Sequence, residues 1–138
     1  MRIFAFVAIL FLLFGCGKIY TKIYDEKEVK IPLSCLKIKS DNLIIEYVVK
    51  NNPFIKNIEK KECQNTLKIS SNYVTSCTSP TAKSIGTDFD GFVRFEILKD
   101  NHLIYRNQRD FKGHFTDSVA KSLIDRLKKD LKFSLLHN

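Results

Sequence analysis

Phe92-Val93-Arg94-Phe95-Glu96-Ile97-Leu98 is followed by Lys99-Asp100-Asn101-His102 and then by a second apolar-rich run from Leu103 to Phe111. In the first run Val93, Phe95 and Ile97 alternate with Arg94 and Glu96, the period of a strand with one buried face. The residues between the runs include Asp and Asn, which tolerate left-handed backbone and favour tight turns. The two runs therefore predict a hairpin, and Gly113 ends its return strand. Thr116 then opens a helix. Val119, Ala120, Leu123, Ile124, Leu127 and Leu131 fall on one stripe about 140° wide, the width of a core-facing helix face. Lys121, Asp125, Lys128, Lys129 and Lys132 lie opposite it. Asp117–Lys121 and Asp125–Lys129 are spaced i,i+4 in the favourable orientation.

Upstream of the hairpin the pattern is shorter and more β-branched. Leu36, Ile38 and the run from Leu43 to Val49 read as strands, broken by a turn at Ser40-Asp41-Asn42. Asn52 as cap and Pro53 at the first helical position suit a helix start. Phe54, Ile55 and Ile58 would face inward on a short helix ending near Gln64 or Asn65. Thr66 to Thr75 reads as a strand, and 76–87, with Pro80 and Gly86, as a loop. This order predicts an α+β fold: a small antiparallel sheet with a short helix and a long C-terminal amphipathic helix packed on one face.

The N-terminus has a different character. Residues 3–14 are all apolar, behind a single cation at Arg2. Twelve apolar residues are too few for a permanent span, which takes roughly 20, and suit the core of a secretory signal. Leu13-Phe14-Gly15-Cys16 then resembles the lipobox of bacterial lipoproteins: an aliphatic residue at −3, a small one at −1, and the cysteine. The resemblance implies cleavage by signal peptidase II after Gly15 and a diacylglyceryl thioether on Cys16. Gly17 at the next position is not the aspartate that retains some lipoproteins at the inner membrane, which favours the outer one. The expected organisation is a signal peptide over 1–15, a lipidated tether over 16–32 and one small periplasmic domain over 33–138.

Without the first fifteen residues the chain loses one cation, Arg2, so the remaining 123 residues carry 22 basic and 15 acidic side chains. A chain of that size buries one modest core. Collagen, coiled coil, multi-domain enzyme and polytopic membrane protein are excluded. Export would place Cys35, Cys63 and Cys77 in an oxidising compartment, where one disulfide and one free thiol are the expected outcome. Cys63 with Cys77 encloses the shortest loop and is the first choice of pair, with Cys35 paired to either as the alternative. There is no C-x-x-C, and His102, His114 and His137 stand at no ligand-like spacing from the cysteines, so no metal site is predicted.

Catalytic motifs are missing as well. The four glycines after Gly15 form no phosphate loop, and neither a nucleophile elbow nor His-Glu-x-x-His occurs. Asp88 and Asp90 flank Phe89 before Gly91, a pattern of turns with a solvated rim, and it lacks the downstream glutamate of a calcium loop. His114, near a helix start, reads as a surface residue. No catalytic residue and no cofactor are predicted. The basic excess favours acidic partners, with Lys128, Lys129, Lys132, Arg106 and Arg109 as the expected contributors. Nucleic acid is set aside because export would separate the protein from it.

From Gly91 to Leu131 the order of strand, turn, Leu-Ile-Tyr strand and terminal amphipathic helix is similar in topology to small envelope lipoproteins that lay two helices on one sheet. These include the lipopolysaccharide-assembly lipoprotein and the auxiliary lipoproteins of lipid ABC transporters. The likeness implies a non-catalytic accessory subunit of an envelope assembly or lipid transport machine. Its expected partners are the membrane, through lipid on Cys16, and an envelope protein or anionic lipid. A stand-alone binder of a small acidic or amphiphilic ligand is the alternative, and it requires a cavity between helix and sheet.

Overall fold

The computed structural model describes residues 18–73 and 89–134. The fold is α+β. Five strands, β1 (Ile19–Ile23), β2 (Lys37–Ser40), β3 (Asn65–Tyr73), β4 (Gly91–Lys99) and β5 (His102–Phe111), form one sheet in the order β1-β5-β4-β3-β2. Three helices accompany them: α1 (Leu43–Lys50), α2 (Pro53–Ile58) and α3 (Asp117–Asp130). The sheet is mixed rather than purely antiparallel, because β2 and β3 run parallel while every other pair is antiparallel. Among the described residues no helix is long and apolar enough to cross a membrane.

The hairpin and the last helix follow the sequence pattern. Asp100 and Asn101 both take positive φ, 49° and 67°, so Lys99 faces His102 across a two-residue turn. Ile97 opposes Tyr105 and Leu98 opposes Leu103, which leaves Ile104 as an extra residue in a bulge. That bulge is why Ile104 and Tyr105 are both buried. At the other end of β4 a Cβ on Gly91 would lie 2.5 Å from the Asn72 carbonyl oxygen and 2.7 Å from the Phe111 ring, so only glycine fits. Along α3, Val119, Ala120, Leu123, Ile124 and Leu127 are buried in one core with Val93, Phe95 and Ile97 of β4 and Ile104 and Tyr105 of β5. Thr116 occupies the cap position of α3, but its hydroxyl meets Ser118 Oγ rather than a backbone amide. The intrahelical ion pair of α3 is Arg126–Asp130, at 2.9 Å.

The run from Leu43 to Val49 is a helix, where strand was expected. The Asn42 side chain accepts from the backbone N–H of Ile44 and of Ile45, capping the first turn. Ile45 and Val49, one turn apart, are then buried together in the core. Burial of this i,i+4 pair overrides the β-preference of branched side chains. Asn52 and Pro53 start α2 as expected, with Asn52 accepting from Phe54 N–H, but the helix stops at Ile58.

With α1 and α2 in place, the segment from β2 to β3 is a helical crossover, the connection that parallel neighbours require. Cys35 and Cys63 each lie two residues before one of these strands, so the parallel pairing brings them side by side. They form the disulfide, with Cα atoms 6.1 Å apart and a sequence separation of 28. This replaces the Cys63–Cys77 pairing favoured by loop length. Cys77 itself lies outside the described residues, as do Cys16 and Asp88.

Residues 19–33 belong to the folded body and not to a free tether. β1 pairs antiparallel with β5 from Ile19↔Arg109 to Ile23↔Tyr105. A short 3-10 turn over Glu28–Lys30 buries Val29, and Leu33 is buried beside Phe133, its bridge partner. The scattered apolar positions of this stretch reflect an edge strand with solvent on several sides.

Candidate functional site: the uncovered face of the sheet

The helices all pack on one face of the sheet. Among the described residues, no helix covers the other. Strand alternation then decides which side chains it carries. On β4 the core-facing set is Val93, Phe95 and Ile97, so Phe92, Arg94 and Glu96 stand on the free face. Register extends this across all five strands. Lys39 is opposite Lys68, Lys68 opposite Glu96, Glu96 opposite Arg106, and Arg106 opposite Lys22. A single row of charged residues therefore runs from one edge of the sheet to the other, over four strand spacings or about 19 Å. Four are cationic and one is acidic.

The interactions along the row are uneven. Glu96 is buried between its neighbours and accepts from Arg106 Nη2 at 2.7 Å and Nε at 3.2 Å. This hydrogen bond holds the Arg106 guanidinium more firmly in its charged form. The Tyr24 ring lies 5.4 Å from Arg106 and 4.8 Å from Lys22 Nζ, an aromatic face shared by two cations. Lys39 and Lys68, at the other edge, have no ion-pair partner among the described residues. Like charges directly opposite on paired strands are destabilising. The Lys39–Lys68 and Lys22–Arg106 pairs are therefore unfavourable for folding as they stand.

The next row supports this one. Arg94 Nε donates to Gln108 Oε1 at 2.9 Å, and Gln108 Nε2 donates to Asp110 Oδ1 at 3.1 Å. Arg94 also stacks 5.1 Å from the Phe92 ring. These contacts orient Arg94 beside a depression of about 350 Å³ lined by Tyr20, Lys22, Arg106 and Asp110. A second depression, of about 490 Å³, lies over Lys39, Thr66, Lys68, Ser70 and Leu98. Both are open to solvent, while the space between helices and sheet is filled by Ile45, Phe95, Leu67, Leu123 and their neighbours. The arrangement offers charge, hydroxyls and aromatic rings to an acidic surface.

Of the five cations expected to form a basic surface, only Arg106 belongs to this row. Arg109 points to the helical side, where its Nη1 donates to Ser122 Oγ at 2.7 Å and its Nε is buried without a partner among the described residues. Lys128, Lys129 and Lys132 are exposed on and just beyond α3, and Lys128 Nζ lies 4.9 Å from the Phe54 ring. The five do not converge. Lys22, Lys39, Lys68 and Arg94 were missed, although the spacings Tyr20-x-Lys22-x-Tyr24, Lys37-x-Lys39 and Thr66-x-Lys68-x-Ser70 carry the period of a solvated strand face.

Of the residues weighed for chemistry, Asp90 and His114 fall among the described ones. Asp90 Oδ2 accepts from the Gly113 N–H, tying the entry of β4 to the exit of β5. His114 is exposed. Compared with family models, with curated proteins and with solved structures, the chain matches none.

Proposed function

We propose that this protein is a bacterial envelope lipoprotein, anchored through Cys16, that binds an acidic partner on the free face of its sheet and performs no catalysis itself. The anchor reading stands on the Leu13-Phe14-Gly15-Cys16 lipobox. The binding reading stands on one observation, the charged row from Lys39 to Lys22. Its like-charged neighbours work against folding, and an acidic partner would relieve that repulsion and use it for affinity and steering. In this reading the protein is an accessory component of an envelope assembly or lipid transport machine, facing the periplasm, with the outer membrane favoured.

The test is capture from its own membranes in mild detergent, comparing wild type with the Lys22→Glu, Lys39→Glu, Lys68→Glu variant. An envelope partner enriched with wild type and lost with the variant, at equal protein level and equal acylation of Cys16, is the expected result. Equal enrichment with both would remove the charged row from the binding surface. The depression beside Tyr20, Lys22, Arg94 and Arg106 favours a second reading, in which the acidic partner is a small amphiphile. A stoichiometric adduct in the native mass spectrum of the wild-type protein would support that alternative.

A further inference from the structure

The pairing directions place several chain segments at one end of the sheet. β1 and β4 begin there, β3 and β5 finish there, with Tyr73 opposite Gly91, Gly91 opposite Phe111 and Ile19 opposite Arg109. β2 runs toward the same end. Its exit is fixed to β3, since Asp41 accepts from both the backbone N–H and the hydroxyl of Ser71 at 3.0 Å. The first turn of α1, which follows at once, therefore stands at that end as well.

That turn is unlike the rest of the surface. Leu43, Ile44 and Tyr47 are 82%, 69% and 70% exposed, the most exposed of the large apolar side chains among the described residues. The helix runs away from this end, so Leu43 and Ile44 are outermost and Tyr47 follows one turn back, about 6 Å higher at 1.5 Å per residue.

Chain length fixes what lies opposite. Only Gly17 and Lys18 separate Cys16 from the first residue of β1. At no more than about 3.5 Å per extended residue, the three steps of chain from Ile19 back to Cys16 can span at most about 10 Å. A lipid chain on Cys16 therefore holds the bilayer against the same end of the domain. We propose that the first turn of α1 is a second membrane contact, with Leu43 and Ile44 in the acyl boundary and Tyr47 at headgroup level, where amphipathic rings partition. This inference rests on the anchor reading given above. It sets the strands upright on the membrane and leaves the charged face of the sheet turned sideways, open to a partner in the periplasm.

The chain contains no tryptophan, so a single introduced one reports its own surroundings. Leu43→Trp is placed at the proposed contact, and Lys61→Trp at the opposite end, four residues before β3. Both are exposed positions. The full, acylated chain is reconstituted into phosphatidylethanolamine–phosphatidylglycerol vesicles with and without brominated acyl chains. Leu43→Trp is expected to emit at shorter wavelength and to lose intensity to the brominated lipid, and Lys61→Trp to do neither. With the acyl mass confirmed on Cys16, an unquenched Leu43→Trp overturns the inference and leaves the anchor standing. A shorter-wavelength emission without bromine quenching also overturns it, because a protein surface then covers α1. Equal quenching at both positions removes the proposed orientation and overturns it too. Absence of the acyl mass overturns the anchor reading itself, and the inference with it.

Discussion

The Tyr105 hydroxyl donates to Asp130 Oδ2 at 2.6 Å, joining the middle of β5 to the last turn of α3. Asp130 also accepts from Arg126 Nε at 2.9 Å, and Asn107 Nδ2 reaches both the Tyr105 oxygen and the Leu123 carbonyl. The network fixes the height of α3 along the sheet, a degree of freedom that its apolar stripe alone leaves loose. Burial, reinforced by the Asp130 carboxylate, pushes the Tyr105 hydroxyl above its ordinary pKa.

Removing that hydroxyl tests the network. Tyr105→Phe leaves the Asp130 carboxylate and the Asn107 amide each short of one partner, which is expected to cost about 1–3 kcal/mol in urea unfolding. The pH dependence has a definite sign. The folded state holds the tyrosine proton more tightly than the unfolded chain, so its contribution is complete below pH 10, the ordinary tyrosine value. It is lost as pH rises beyond that. Wild type is expected to lose stability more steeply than Tyr105→Phe above pH 10. Parallel alkaline profiles for the two proteins would refute the coupling.

The disulfide gives an independent check on the crossover between β2 and β3. Closing a loop of this length is expected to stabilise by roughly 3–4 kcal/mol in the chain-entropy model. Cys35→Ser and Cys63→Ser should each lose that amount, whereas Cys77→Ser should not. Peptide mapping without reduction should recover a Cys35–Cys63 cross-link. A Cys63–Cys77 peptide in its place would contradict the parallel pairing of β2 and β3.

Gly91 tests close packing at the entry of β4. A methyl group there meets the backbone oxygen of Asn72, which cannot swing away as a flexible side chain would. Gly91→Ala is expected to cost about 1–3 kcal/mol, the range for overpacking a tight site. Gly113 has positive φ and open space around it, so its substitution strains the turn without a clash. An unchanged melting temperature for Gly91→Ala would show that β3, β4 and Phe111 are looser here than the geometry implies.

The parts of the fold legible in the sequence are those held by local spacing. Val93, Phe95 and Ile97 announce a strand at every second residue, Asp100 and Asn101 a left-handed turn, and Leu123 with Leu127 a helix. The run from Leu43 to Val49 was misread because Ile44, Ile45, Val48 and Val49 favour strands in isolation. The competing signals were the Asn42 cap and the Ile45–Val49 spacing, and they prevail only once a core exists to bury that pair. β1 was invisible for a related reason: an edge strand packs little, so Tyr20, Lys22 and Ile23 lack a buried alternation. The charged row is a non-local object. Lys39 and Lys22 lie 17 residues apart in sequence, and only the register of five strands brings them into line with Lys68, Glu96 and Arg106.

That row leads to a prediction that separates binding from solubility. Lys39 faces Lys68 across the parallel pair, and no carboxylate stands between them in register. Lys39→Gln removes the repulsion while keeping a long polar side chain, so stability should rise by about 0.2–1 kcal/mol at low salt. The gain should shrink at high salt, where screening already weakens the repulsion in wild type. If the row serves an acidic partner, the same substitution should reduce partner capture even though the protein is more stable. Charge reversal at Lys128, Lys129 and Lys132 should change stability by no more than about 0.5 kcal/mol per site and leave capture intact, because those lysines lie on the helical side. Greater stability with undiminished capture in Lys39→Gln would instead assign the row to solubility, and loss of capture on reversing the α3 lysines would move the binding surface to the helices.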